Sequence, residues 1–234
     1  MSSRRWVVGL GLLLTSGCRH RNSAPAPVAE APPAPVTERQ LNAELTFTTD
    51  PDTHTWRSFV ARRGARIPAK GIWDRYAPFL GIAPDVLVPV HPPRPDSIIP
   101  GAMRIDYQQM HLGYPVAAGY SINVKDGLLR DGIGKVVRDL PATAPVPISR
   151  ERAAALAFTR IEPKGATPWI AHPELWRPPQ QELLWWSPKL RSRGPDFQLV
   201  WNFSFSSTGV HEPGSVTVDA VTGAIMFTTS GRRR

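Results

Sequence analysis

The chain has 234 residues, of which 41% are apolar and 20% charged, so it can bury a core as one large or two small domains. Its formal net charge of +9 is compatible with nucleic acid, anionic lipid or an acidic protein as partner. It contains a single cysteine, which excludes an internal disulfide framework.

The first residues are typical of a secretory signal. MSSRR supplies positive charge, residues 6–14 form a short apolar run, and TSGC provides the small residues typical of a cleavage site. The apolar run is far shorter than the roughly 20 residues that span a bilayer. The segment therefore predicts export, which argues against a nucleic-acid partner.

Cys18 lies where the signal ends, and residues 14–18 (Leu-Thr-Ser-Gly-Cys) resemble a bacterial lipobox. Thr15 departs from that pattern, because lipoboxes more often have an aliphatic residue at its position. We predict a lipoprotein signal peptide over 1–17 and a lipid on Cys18 that anchors the mature chain in the bacterial cell envelope. The alternative is ordinary signal cleavage beside an incidental cysteine. Loss of Arg4 and Arg5 with the signal leaves a net charge of +9 − 2 = +7.

Residues 18–40 are predicted to be a disordered tether. Five prolines fall within residues 24–36, and such proline–alanine sequences favour an extended spacer of about 3.1 Å per residue. The basic residues beyond it are scattered, apart from Arg62-Arg63 and the runs at 191–193 and 232–234. They indicate a solvated face, with contact to lipid headgroups or to a partner as the alternative.

Helical spacing of apolar residues predicts helices over 54–63 and 71–80, which Gly64 and Gly81 terminate. The proline-rich stretch 88–101 predicts an edge segment or loop. From residue 102 the period changes to two, which predicts an antiparallel meander with strands near 103–107, 116–124 and 128–138. Gly113 and Pro115 are assigned to its first loop and Asp126-Gly127 to its second, and Gly132 and Gly134 are expected to break the third strand.

The second half of the chain begins with a helix and returns to strands. Ser149 is placed to cap a helix that ends near Ile161. Strands are predicted at 182–188 and 197–205, followed by two short strands around the turn 219–223. Because helices and strand runs are segregated, the fold class is α+β.

Two motifs resemble a known family. Residues 107–127 resemble the fungalysin/thermolysin propeptide (FTP) motif, and the later sequence resembles a PepSY domain through Ile148-Ser149, residues 199–201 and residues 218–225. Together they cover residues 56–229. The positions that match and that we interpret as structural are Tyr107, Gln109, Gly113, Pro115, Val116, Gly127, Asp219 and Gly223, and Gln108 also matches the FTP motif.

The resemblance implies two related units, 41–140 and 141–234, each with a helix packed on a curved antiparallel sheet. In zymogens such a propeptide acts as chaperone and inhibitor of a zinc metalloprotease. This sequence has no HExxH motif, and the expectation is that no protease domain follows Arg234.

The sequence offers little for catalysis. Its histidines are not spaced as a helical metal pair, and it has neither a G-x-S-x-G elbow nor a phosphate-binding glycine loop. We therefore expect no enzyme activity, no cofactor and no metal. An exposed polar face carrying Arg104, Asp106 and Gln108 is the candidate site for a protein partner, which the resemblance identifies with a secreted metalloprotease. The alternative functions are an envelope structural or assembly lipoprotein on the same scaffold and, less favoured, an uncharacterised enzyme.

We predict that Cys18→Ala abolishes both incorporation of labelled palmitate and sedimentation with membranes, because the substituted chain has no thiol to acylate. Cell fractionation and globomycin treatment of the unchanged chain check this. Unchanged processing and fractionation of the variant would rule out the anchor.

Overall fold

The computed structural model describes residues 36–51, 54–161, 180–188, 196–205 and 214–230, all within one compact unit. Cys18, the predicted signal and most of the predicted tether lie outside these ranges. The helices are α1 (Glu38–Glu44), α2 (Ile72–Leu80) and α3 (Arg150–Ile161), with a 3₁₀ turn at Pro84–Val86. The strands are β1 (Leu45–Thr49), β2 (Trp56–Ala61), β3 (Leu87–Pro89), β4 (Arg94–Pro95), β5 (Met103–His111), β6 (Tyr114–Lys125), β7 (Leu128–Lys135), β8 (Gln180–Trp186), β9 (Gln198–Phe205), β10 (Gly214–Asp219) and β11 (Ile225–Ser230).

All these strands belong to one sheet. Its main path runs β1-β2-β7-β6-β8-β9-β10-β11, and β5 pairs with β6 while carrying β3 and β4 on its other edge. Neighbouring strands are antiparallel except β6 and β8, which run parallel and meet at Val116 and Trp185. The predicted meander is therefore present, but β5 offers no free edge along the segments where β3 and β4 pair with it.

The first half of the sheet is covered by α2, whose aromatic residues interlock with those of the strands. The Trp73 ring stacks on Tyr120 at 5.1 Å and meets the edge of Tyr107 at 5.4 Å. Gly71 and Gly81 flank α2 in the left-handed conformation, so the helix predicted over 71–80 is confirmed. The buried helical positions are Ile72, Trp73, Tyr76, Ala77 and Leu80.

The predicted helix over 54–63 is wrong, because this segment contains β2. Thr48 pairs with Ser58 and Thr49 with Trp56, which leaves Arg57 as an unpaired bulge residue. A bulge adds one residue to a strand and so reverses the inward-outward alternation. Trp56 and Phe59 are consequently buried on the same side although they are three residues apart, a spacing that imitates a helix.

Two assignments in the meander are also wrong. Gly132 and Gly134 do not break β7; a Cβ at Gly132 would collide with the Phe59 ring, and one at Gly134 with the backbone of Gly119. These glycines allow close packing within a continuous strand. Pro115 lies in β6 rather than in the loop, because the two-residue turn Leu112-Gly113, with both φ values positive, suffices to reverse the chain.

The second half packs α3 against β9 and β10. The Ser149 hydroxyl accepts a hydrogen bond from the Arg152 N–H at 3.2 Å, which confirms the predicted cap. Ala153, Ala157 and Phe158 pack on the same face of the sheet as Phe203. The mixed α+β fold with an open, curved sheet is therefore confirmed.

None of the helices in the described ranges has the length and apolarity needed to cross a membrane.

Candidate functional site

β6 changes its neighbour part of the way along its length. Residues 119–125 pair with β7, whereas Val116 pairs with β8. Ala117 and Ala118 lie between these two ladders and pair with neither strand. The sheet therefore forks at these residues, and we call this point the fork.

The register between β5 and β6 is irregular beside the fork. Gln108 is opposite Gly119 and Met110 is opposite Pro115, so one residue of β5 faces residues 116–118 of β6. The Gln108 side-chain amide donates to the carbonyl oxygens of Val116 and Ala118, the latter at 3.1 Å. Gln108 thus supplies hydrogen bonds that the ladder cannot make here.

Gln109 points to the opposite face and is only 3% exposed. Its Oε1 accepts from the Val137 N–H at 2.8 Å, and its Nε2 donates to the Val137 carbonyl at 2.7 Å. The side-chain amide pairs with Val137 as a residue of a neighbouring strand would. It therefore ties β5 to the chain segment that follows β7.

The end of β5 is joined to the second half of the sheet through Trp185. The Trp185 indole N–H donates to the His111 carbonyl at 3.1 Å, and the two rings are 5.5 Å apart. His111 Nε2 lies 2.7 Å from the Pro141 carbonyl oxygen. These contacts, together with those of Gln109, fix the fork in position.

A cleft of about 400 Å³ opens at the fork on the sheet face opposite α2, and we call it the outer-face cleft. Its apolar lining includes Val90, which is 45% exposed, Ile133, which is 63% exposed, and Leu184. Its polar lining residues include Asp106, Gln108, Ser121 and Glu182.

Asp106 is the centre of a charged cluster beside this cleft. Arg104 Nε donates to Asp106 Oδ1 at 2.8 Å, Arg94 donates to Oδ2 at 2.6 Å, and the Ser121 hydroxyl donates to Oδ1. Burial opposes ionisation of Asp106, but the hydrogen bonds from Ser121 and Arg104 and the positive charges of Arg104 and Arg94 outweigh it. The pKa of Asp106 is therefore lowered.

This arrangement is suited to binding rather than to proton transfer. Asp106 is held ionised by its donors, so it is a weak general base. The Arg94 and Arg104 side chains remain 57% and 43% exposed, and a guanidinium has five N–H donors, so both can also donate to a ligand's oxygen atoms. Among the described residues, no group of three or more His, Cys, Asp or Glu side chains could hold a metal ion.

The structure places Arg104, Asp106 and Gln108 together on the outer face, as the alternation predicts. The side-chain amide of Gln108 donates to backbone carbonyls of the chain itself. Of these three residues, Arg104 therefore has the N–H donors that are most accessible to a ligand. Of the motif residues interpreted as structural, Tyr107 is half-buried against Trp73 and Val116 is fully buried. Gly113, Gly127 and Gly223 lie in turns with positive φ, and the Asp219 carboxylate accepts hydrogen bonds from Val221 and Thr222 in the last turn.

Arg94, Ser121 and Glu182 belong to the site although the sequence did not single them out. Arg94 reaches it from β4, which directly precedes β5 in the chain, and Glu182 reaches it from β8 in the second half of the chain. Ser121 lies opposite Asp106 only because of the extra β6 residues near the fork.

No protein-family model matches the sequence, and no curated protein matches it. Among solved structures, the chain is similar to the C-terminal domain of YpeB from Bacillus megaterium. The TM-score is 0.40 and the identity 12%, over 85% of this chain and 99% of that one.

We predict that Gln109→Leu lowers the free energy of unfolding by about 2–5 kcal/mol, because it leaves both polar groups of the buried Val137 backbone unsatisfied. Gln108→Leu is the matched control. It should cost only about 1 kcal/mol, because water in the adjoining cleft can bond to the released carbonyls. Urea unfolding followed by circular dichroism measures both. Equal losses of free energy in the two variants would show that the hydrogen bonds of Gln109 to the Val137 backbone stabilise the fold no more than those of Gln108.

Asp106→Asn should lower the free energy of unfolding by about 1 kcal/mol at neutral pH. Since folding lowers the pKa of Asp106, its stabilising contribution is present above the ordinary aspartate pKa of about 3.9 and is lost as the pH falls through the lower folded value. Urea unfolding from about pH 6 to pH 2 should show the gap between the two proteins closing. The exposed Asp85, changed to Asn, is the control. If the difference in free energy of unfolding between the two proteins does not depend on pH, Asp106 does not stabilise the fold through its ionised carboxylate.

Proposed function

We propose that the chain is a non-enzymatic, lipid-anchored protein of the bacterial cell envelope whose outer-face cleft binds a segment of another protein. The combination of exposed apolar residues and partly exposed arginines around one cleft carries this proposal. Val90 and Ile133 can contact aliphatic side chains, while Arg94 and Arg104 can donate to backbone carbonyls or carboxylates.

A preformed cleft favours binding because little of it has to be ordered on association. Asp106 fixes both guanidinium groups through hydrogen bonds of 2.6 and 2.8 Å, and Ser121 fixes the carboxylate from β6. Arginine side chains otherwise lose considerable conformational entropy on binding. The cluster therefore prepares two cations for a ligand before it arrives.

We propose a thermolysin-like metalloprotease, encoded separately, as the partner. Support comes from the resemblance of residues 107–127 to the propeptides that inhibit such proteases and assist their folding. This chain would act in trans as inhibitor or folding helper. The anchor at Cys18 would keep it at the membrane that the protease passes during export.

The chain carrying Cys18→Ala should inhibit a thermolysin-like protease from the same genome or raise its refolding yield. A matched pair of variants localises the effect. Arg104→Gln combined with Ile133→Ser removes one donor of the charged cluster beside the cleft and one apolar contact of its lining, and should weaken inhibition about tenfold or more. Arg39→Gln changes an exposed arginine of α1 and should have no effect.

Hydrolysis of a peptide substrate and recovery of protease activity after dilution from denaturant measure the two activities. Failure of both with every such protease of that genome would overturn the partner assignment and leave the envelope-assembly function. Equal behaviour of the two variants would overturn the assignment of the cleft.

A further inference from the structure

A second cleft, of about 510 Å³, lies at the far end of the first half of the sheet. It is formed by the end of β2, the loop that follows it, and the hairpin that connects β6 to β7. We call it the hairpin-end cleft. The proposed protein-binding function does not use it.

Basic side chains dominate this cleft. The lining contains four of them and two acidic ones, Asp126 and Asp131. Among the described residues, no ion pair includes any of the four, whereas the arginines of the outer-face cluster and Arg75 are all paired with carboxylates. Arg66, in the same loop, is a further exposed cation. The four basic lining residues are Arg62, Arg63, Lys125 and Arg130.

Backbone hydrogen bonds fix the segments that carry these cations. The Arg62 N–H donates to the Glu44 carbonyl at 2.8 Å, and the Ala69 N–H donates to the Gly127 carbonyl at 2.9 Å. The Leu129 N–H donates to the Ile67 carbonyl at 2.8 Å, so the loop is joined to the hairpin at two points. The basic groups are therefore grouped by the fold although they come from three separate segments.

We propose that the hairpin-end cleft docks on a bilayer containing anionic phospholipid, whose headgroup phosphates are bound by Arg62, Arg63, Lys125 and Arg130. The cations surround an opening, so a surface with many phosphates can satisfy each of them separately. Val60 lines the same opening and is 54% exposed, which supplies an apolar contact at the interface. An acidic peptide would use the charges but gains less from this aliphatic side chain.

The test is co-sedimentation of the full chain carrying Cys18→Ala with phosphatidylcholine vesicles, with and without phosphatidylglycerol. Arg63→Gln combined with Arg130→Gln should weaken binding to the anionic vesicles about 30-fold, since each cation near such a surface contributes about a fivefold factor. Arg150→Gln combined with Arg152→Gln, exposed positions on α3, removes the same charge elsewhere and should leave binding within about twofold. Every protein compared retains the apolar N-terminal run, so its contribution cancels in the comparison.

Binding to the anionic vesicles should weaken as salt is added, and binding to neutral vesicles should be the same for all variants. Equal losses in the two double variants, or no loss in either, would overturn the proposal. Binding to polyglutamate without binding to vesicles would overturn it in favour of an acidic protein. Circular dichroism verifies folding, and Arg130→Gln alone, with an expected loss of about fivefold, replaces the double variant if that fails to fold.

This test is independent of the protease assay. Arg63→Gln with Arg130→Gln should inhibit the protease as the parent chain does, because neither residue lines the outer-face cleft or belongs to the charged cluster of Asp106. Loss of vesicle binding with inhibition retained would support docking whether or not the protease assignment stands.

Discussion

The hydrogen bonds of Gln108 and Gln109 hold the sheet together where it forks. Because one residue of β5 faces three residues of β6, the ladder cannot pair every backbone group there. The two adjacent side chains point to opposite faces, and each satisfies backbone groups that regular pairing would leave unmatched. Their amides provide donors and acceptors without the desolvation cost of a charge. The fork depends on them, and so does the parallel contact that adds β8 to the sheet.

The same irregularity creates the charged cluster. Counting outward from the Leu112-Gly113 turn with regular pairing would place Asp106 opposite Gly119. The extra residues of β6 shift the register by two, and Asp106 meets Ser121 instead. A hydroxyl donor thereby reaches the carboxylate, while Gly119 lies against the Tyr107 backbone, where a Cβ could not fit. The cleft and its polar lining are consequences of one bulge rather than independent features.

Sequence patterns identify the local elements of this chain and miss its long-range features. The alternation along β5 places Arg104, Asp106 and Gln108 on one face, and turn chemistry locates Gly113 and Asp126-Gly127, because these signals depend on adjacent residues. The same reasoning fails at the bulge residue Arg57. The bulge reverses the alternation of the strand, so its buried residues are spaced as they would be in a helix. Glu182 reaches the site through a pairing between distant segments, and Arg94 reaches it from a two-residue strand in a proline-rich stretch; periodicity encodes neither. The prediction that the glycines of β7 break the strand is wrong for a related reason. These glycines are needed because Phe59 and Gly119, on other strands, leave no room for a Cβ.

The two clefts share β6, which relates the proposed binding surface to the proposed membrane surface. Ala118 borders the outer-face cleft and Lys125 borders the hairpin-end cleft on the same strand. Seven residues of extended strand separate them by roughly 23 Å. With Lys125 at the headgroups, the fork end of the outer-face cleft would lie about that far along the strand, beyond a Debye length of about 8 Å at physiological salt. Arg104 lies nearer to the hairpin end, because it is paired with Asn123, two residues before Lys125 on β6. Docking at the hairpin end would thus set the orientation of the outer-face cleft, with its fork end pointing away from the headgroups.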